Sequence, residues 1–345
     1  MKNILLLASV LTLTFFTYAQ TDKEPYLTQS LSGENIKEAR VETSGGSIHV
    51  TGVEPGQARI EVYVTPNNPK NKYSQDELKR KLEKDYVIDI STSGGKLTAI
   101  AKQRNAKLFD WNNSLNISFR VFIPSNVNTD LHTSGGSIHL ANLNGTHDFR
   151  TSGGSLRIDK LSGNIKGRTS GGSILLRHSS SEIDLHTSGG NITAEDCNGN
   201  LRLRTSGGSL TLKSLSGTIN ARTSGGSVHG DAIKGELEAH TSGGNVTLKN
   251  LAASVDASTS GGGINVELVE LGKYVTIRNS GGNVTLALPG NQGMNLKLKG
   301  DRINTGSLKN FSGTLEQDEV EGTLNGGGVP VTVRSSSGRV SLSLK

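Results

Sequence analysis

The chain has 345 residues, 44 of them glycine, with only 4 % aromatic and 33 % hydrophobic side chains. That set cannot fill a wide globular core, although a narrow one needs only a few aliphatic residues per layer. A formal charge of +6 is mild for this length and permits attraction to acidic glycans or lipid headgroups. The absence of basic clusters interleaved with aromatics argues against nucleic-acid binding.

At the start, Lys2 and Asn3 precede an apolar run from Ile4 to Phe16, and Thr17-Tyr18-Ala19 supplies a small-x-Ala cleavage site. Residues 1–19 therefore read as a secretory signal peptide, with residues 20–345 forming one exported domain. The apolar run is too short to span a bilayer comfortably, and no later segment resembles a membrane span. Periplasm, cell surface and medium all remain open as destinations.

Residues 21–132 read as looser coils built on copies of Thr-Ser-Gly-Gly at Thr43 and Thr92. Ser74 to Lys84 is the one helical stretch. Ser74 and Glu77 have capping-box spacing, and Leu78 and Leu82 share a face. It reads as an insertion that covers an open sheet edge. Phe109, Trp111, Phe119 and Phe122 hold most of the large aromatics.

From there the pattern is strict. Thr-Ser-Gly-Gly begins at Thr133, Thr151, Thr169, Thr187, Thr205, Thr223, Thr241 and Thr259, always 18 residues apart. Such a period predicts an all-β fold, a single-stranded parallel β-solenoid (β-helix) with 18-residue coils, most regular over residues 133–278. With each Thr as position one, position six is always Ile, Leu or Val, and position eight is mostly aliphatic. Positions eleven, fifteen and seventeen are apolar as well, so two short strands per coil bury one face each. Thr shares the inward parity. Ser-Gly-Gly closes the coil, where a tight corner asks for positive φ and close approach between layers. After Val284 the period loosens, and Gly326-Gly-Gly328 with the strands that follow reads as the layer that finishes the stack.

Position eighteen carries His132, Arg150, Arg168, His186, Arg204, Arg222 and His240. In register these form an outward stripe able to hold an extended polyanion. Position sixteen beside it is often acidic (Asp130, Asp148, Asp184, Glu238, Asp256) but also carries Lys166 and Arg202, so the stripe also reads as a solvated, partly neutralised ladder. The Thr array is a poor ice template, because its side chains point inward. No metal site is expected, since the repeats lack the Asp of calcium-binding nonapeptides and the histidines lie in a row. No cofactor motif is present. The regular coils show no break where acids converge for catalysis; Asp110, Trp111 and Arg120 mark the one less regular place for a pocket, whose plainer reading is aromatic packing over an end coil. Cys197, the only cysteine, takes a position otherwise filled by Leu or Ile and reads as a small buried hydrophobe.

The repeated T-S-G-G-[SN]-[ILV], the early helical insertion and the closing N-G-G-G-V-P-V-T-V-R-S-S-S-G-R-V over Asn325–Val340 resemble a known bacterial family. It is the exported "putative adhesin" family of β-strand-repeat proteins, a domain of unknown function related to GIN-type adhesin head domains. The resemblance covers roughly residues 30–345. It implies an exported solenoid with a role in adhesion or envelope organisation, and brings no catalytic residues. Two departures affect local register: Ser179-Ser-Ser181 replaces an apolar-x-Gly corner, and the Thr259 coil runs 20 residues. The expected function is a non-enzymatic rod at the cell envelope that contacts glycan or a surface protein. The rivals are a periplasmic scaffold and, with less support, a polysaccharide-acting enzyme.

Overall fold

The computed structural model describes residues 24–104 and 113–345. The expected signal peptide, Phe109, Asp110 and Trp111 lie outside the described residues. The chain is all-β apart from one α-helix and one 3-10 turn among the described residues. Segments 18 residues apart pair in parallel. One row runs Leu156, Ile174, Ile192, Leu210, Val228, Val246 and Ile264; another runs Ile165, Ile183, Leu201, Ile219, Leu237 and Val255. Each coil therefore lies on the equivalent part of its neighbour, a solenoid-like stack with layers about 4.8 Å apart. The core is a thin column. Position-six, -eight, -eleven, -fifteen and -seventeen side chains such as Ile174, Leu176, Leu161, Ile183 and Leu185 are all but fully enclosed. Where Phe149 is too large for this column, Gly167 in the next coil leaves room; a Cβ there would stand 2.5 Å from the ring.

Ser-Gly-Gly does bend the chain in each regular coil, but the positive φ is not where the sequence suggested. In the regular coils the Ser-Gly-Gly glycines lie outside the left-handed region. That conformation belongs to position ten: Asn142, Lys160, His178, Asp196, Ser214, Ala232 and Asn250 have φ of 47–57°. One left-handed residue turns the chain so that position eleven points inward. The side chain at position ten matters little beyond the strain it tolerates. What the second glycine of each quartet supplies is space: a Cβ on Gly154 would lie 1.9 Å from the Gly136 carbonyl oxygen, whereas Gly153 has 3.6 Å of clearance. In the Thr169 coil Ser181 takes the glycine position of the second corner at φ 84°, so the Ser179-Ser-Ser181 departure leaves the stacking register intact.

The threonines face inward, as their parity requires, and they bond between layers. Thr169 Oγ1 donates to the Gly154 carbonyl at 2.7 Å, one coil back, and accepts the Gly172 amide at 3.2 Å. The arrangement repeats from Thr133 to Thr259. Thr133 reaches Gly46, 87 residues earlier, which places the Thr43 coil directly beneath. Position five adds a second rung: Ser137, Ser173 and Ser209 accept the amides of Ser155, Asn191 and Ser227 in the next coil. Backbone groups at a bend with no ladder partner are thereby satisfied.

The sheet is mixed, and its antiparallel parts lie at the two ends. Glu38–Glu42 is sandwiched between Asn128–His132 and Lys96–Gln103, and Ile48–Val53 between Ile138–Arg150 and Leu115–Pro124. Arg59–Pro66, Leu27–Ser30 and Tyr86–Ser93 then add antiparallel strands outside these. Thr92-Ser-Gly-Gly therefore builds no coil. It is a hairpin turn, with Gly94 and Gly95 at φ 58° and 80°. The helix forms at Gln75–Asp85 with both halves of its capping box made, and buries Leu82. The far end repeats this logic. Val329–Ser335 and Arg339–Leu344 pair with the Thr259 coil and its continuation, but Met294–Lys299 and Arg302–Asn304 lie outside them. A hairpin of Phe311–Leu315 and Glu319–Leu324 continues outward from Met294–Lys299. The closing element thus forms the penultimate layer rather than the last. The Thr259 coil absorbs its two extra residues as bulges between Leu248 and Val255 of the coil below.

A histidine also enters the aliphatic column. His147, at position fifteen, is fully enclosed; Nδ1 lies 3.0 Å from Thr129 Oγ1 and Nε2 has no partner. Burial pushes the imidazole from 6.5 down to about 4.

Two predictions follow from this packing. Gly154→Ala should lower stability by about 3 kcal/mol, because backbone must move, and Gly153→Ala by less than about 0.5 kcal/mol; thermal and urea unfolding compare them. His147 is neutral in the fold and its folded value is depressed, so its contribution is intact above pH 6.5 and is lost as pH falls toward 4. The loss amounts to about 3 kcal/mol. His147→Ile, copying Ile165 and Ile183 above it, should flatten the melting temperature between those pH values.

Candidate binding face

Positions sixteen and eighteen emerge side by side from the second strand of each coil. In-register pairing stacks position eighteen as Glu42, His132, Arg150, Arg168, His186, Arg204, Arg222, His240, Ser258 and Arg278. The sequence-predicted residues do share one outward column. They do not share one state. His132 bonds Asp130 at 2.6 Å, Arg204 bonds Asp184 at 3.0 Å, and Arg222 bonds Glu238 at 3.0 Å. Arg150 lies 3.8 Å from Asp148. His240 Nδ1 is 2.7 Å from Ser258 Oγ, and burial holds its imidazole below the ordinary value, so it adds no charge at neutral pH. Arg168 and His186 have no side-chain partner among the described residues. In its own and the two adjoining coils, Arg168 stands with Arg150, Lys166 and His186 against Asp148 and Asp184, and Asp184 is engaged by Arg204. The cationic character therefore concentrates in the middle coils and fades toward both ends.

A second charged column on the same coils behaves differently. Position nine reads Asp159, Arg177, Glu195, Lys213, Asp231, Lys249 and Glu267, alternating in sign at every step. Arg177 and Lys213 both reach Glu195, at 2.9 and 3.8 Å, and Glu267 pairs with Lys345. Sequence reading missed this ladder, although every second coil carries the signal. A parallel stack sets like positions directly against each other, so a uniform charged column repels itself and an alternating one does not.

A groove of about 480 Å³ follows the position-eighteen column over five coils, from Glu42, which makes that end acidic, to His186. Its other side is the exposed Ser of each quartet: Ser134, Ser152, Ser170 and Ser188. Unlike the position-five serines, these hydroxyls make no hydrogen bond among the described residues.

Elsewhere the chemistry is quiet. The Cys197 thiol donates to the Glu195 carbonyl at 3.1 Å and burial pushes it up to about 11, so it behaves as a small apolar side chain. His49 and His139 stack edge to face, centroids 5.5 Å apart, between Arg120 and Arg157; burial, then the neighbouring charges, hold His49 near 4. Arg120 lies over the Tyr63 ring at 4.6 Å and Arg59 over Phe122 at 3.7 Å, which ties both to aromatic packing at the end coil. Among the described residues no three His, Cys, Asp or Glu side chains converge as for a metal, and no helix is long and apolar enough to cross a membrane.

With a stack of this geometry in view, comparison with family profiles is decisive: that of Toastrack DUF4097 matches residues 35–343. The chain belongs to the Toastrack DUF4097 family. Two crystal structures also align with this Toastrack chain. One is described as "a putative cell adhesion protein" from Clostridium sporogenes, 10 % identical, covering 92 % of this chain and 98 % of that one, with a TM-score of 0.21. The other is "a putative adhesin" from Bacteroides fragilis, 12 % identical, covering 92 % and 96 %, with a TM-score of 0.22. Comparison with curated proteins gives no match.

The two columns predict opposite responses to charge reversal. Lys213→Glu puts three acids in a row with Glu195 and Asp231 and should cost about 0.5–1 kcal/mol. Arg168→Glu, between Arg150 and His186, should leave stability unchanged or raise it. Melting curves at low salt read both, and the difference should shrink at high salt.

Proposed function

We propose that this chain is an exported, non-enzymatic binding rod of the cell envelope, and that the position-eighteen column is its contact face for a polyanionic surface component. The observation that carries the reading is the contrast between the two charged columns. Position nine shows that these coils accommodate alternating signs, which suits stability. Position eighteen instead sets cationic or titratable groups on one another from His132 to His240, at about 4.8 Å per layer. A stack that gains nothing from that repulsion is best explained by an external anion that relieves it. The N-terminal sequence supports export. A periplasmic scaffold growing end to end has less support, because antiparallel strands cover both ends of the parallel stack.

Two measurements test this. Protease added to intact cells should cleave the protein, since contact with surface material requires exposure. Retention on anionic envelope material should fall steeply with salt and be lost when Arg150, Arg168, Arg204 and Arg222 are all replaced by Ala. Retention unchanged in that variant removes the stripe from the function.

A further inference from the structure

Resting on that reading of the stripe, we infer that its groove binds an acidic polysaccharide lying along the stack axis, held by two parallel rows of different chemistry. The first row is cationic. Arg168 has no carboxylate partner among the described residues, and Arg150 has a loose one at 3.8 Å; a guanidinium so placed suits an oxyanion presented edge-on. The second row is the quartet serines Ser134, Ser152, Ser170 and Ser188, which form the opposite rim of the same groove.

The serine row is the informative part. Ser follows Thr in all eight quartets from Thr133 to Thr259. Thr has a structural duty, bonding the glycine carbonyl one coil back. The second glycine has one too, since no Cβ fits there. Position-five Ser accepts an amide from the next coil. The quartet hydroxyls Ser134, Ser152, Ser170 and Ser188 are exposed and make no hydrogen bond among the described residues, so their regular row is available to a ligand. A hydroxyl row pairs well with a chain that is itself rich in hydroxyls, and a guanidinium row with one that carries anionic groups. A neutral glycan would use only the second row, and a polymer of inorganic phosphate, which has acceptors but no donors, would meet the serines only as donors to its oxygens. No Phe, Tyr or Trp lines the groove, so the broad platforms that stack on sugar faces are lacking, and affinity must accumulate weakly from layer to layer.

The test uses the mature protein and three probes: polygalacturonate, its fully methyl-esterified form, and inorganic polyphosphate, with binding followed by titration calorimetry. Polygalacturonate should bind, and the esterified polymer, which keeps its hydroxyls but loses its charge, should bind at least tenfold more weakly. Arg168→Ala should weaken both polygalacturonate and polyphosphate, by roughly tenfold. The triple variant Ser152→Ala, Ser170→Ala, Ser188→Ala should weaken polygalacturonate by a similar factor and polyphosphate by less, since the phosphate polymer has no donors to give those hydroxyls. Those side chains make no bonds within the fold, so its circular dichroism and melting should match the parent. If the serine variant binds polygalacturonate as the parent does, the two-row inference is overturned while an Arg168-dependent polyphosphate signal keeps the stripe. If neither charged polymer binds the parent protein, the stripe reading fails and this inference with it.

Discussion

In a parallel in-register stack every side chain is judged against its own counterpart one layer away. Backbone hydrogen bonding fixes that spacing at about 4.8 Å, and no residue can escape its column without breaking the ladder. Aliphatic columns satisfy the constraint by contact, as with Ile174 on Ile192 and Leu210. The Thr column satisfies it by a bond to the glycine carbonyl one coil back, which turns a polar residue into an interlayer tie at a place where its side chain is buried. The second-glycine column satisfies it by having no side chain at all. Charged columns are settled by alternation of sign, as at position nine, or by acids of the neighbouring column, as where Asp184 meets Arg204 and Glu238 meets Arg222.

The same constraint explains what could be read from the sequence. An 18-residue period, inward parity for Thr, and apolar positions six, eight, eleven, fifteen and seventeen all express column membership, and all appear directly in the spacing. The capping box at Ser74 and Glu77 is equally local and was equally legible. What was hidden is non-local or conformational. Thr92-Ser-Gly-Gly spells the repeat, yet Lys96–Gln103 folds back antiparallel on Tyr86–Ser93, because no coil follows it in the layer above. The order of layers at the two ends was invisible for the same reason: strands close in sequence, such as Met294–Lys299 and the Thr259 coil, are separated in the stack by a strand that comes 35 residues later at Val329. The left-handed corner residue left no trace either, since Lys160, Ser214 and Ala232 share a φ but no chemistry.

The candidate face was half legible. Column membership put His132, Arg150, Arg168, His186, Arg204, Arg222 and His240 together, and the structure does align them. Their neutralisation was not legible, because the partners come from different layers. Asp184 serves Arg204, 20 residues on; Glu238 serves Arg222, 16 residues back; Asp256 serves Arg278, 22 residues on. Same-coil adjacency of positions sixteen and eighteen therefore misassigns several pairs, and it hides the fact that Arg168 is left over. His240 drops out for another reason: it is half-buried beside Ser258, where the column ceases to be basic.

Placing the terminal layers next to last has a mechanical consequence that bears on a rod. In a stack whose stability accumulates from neighbour contacts, the end coils are the first to open. Here opening the N-terminal end means peeling away Lys96–Gln103 and Leu115–Pro124 before Glu38–Glu42 or Ile48–Val53 is freed. At the other end, Met294–Lys299 and its hairpin must leave before Val329–Ser335 can. The Thr43 coil and the Gly326-Gly-Gly328 element thus gain neighbours on both faces, although they lie near the two ends of the sequence. The groove runs from Glu42 to His186 in the N-terminal part of the stack, and Arg168 lies four layers in from Lys96–Gln103. That depth keeps the spacing of Arg168 to Arg150 and His186 fixed even when the outermost strands fray.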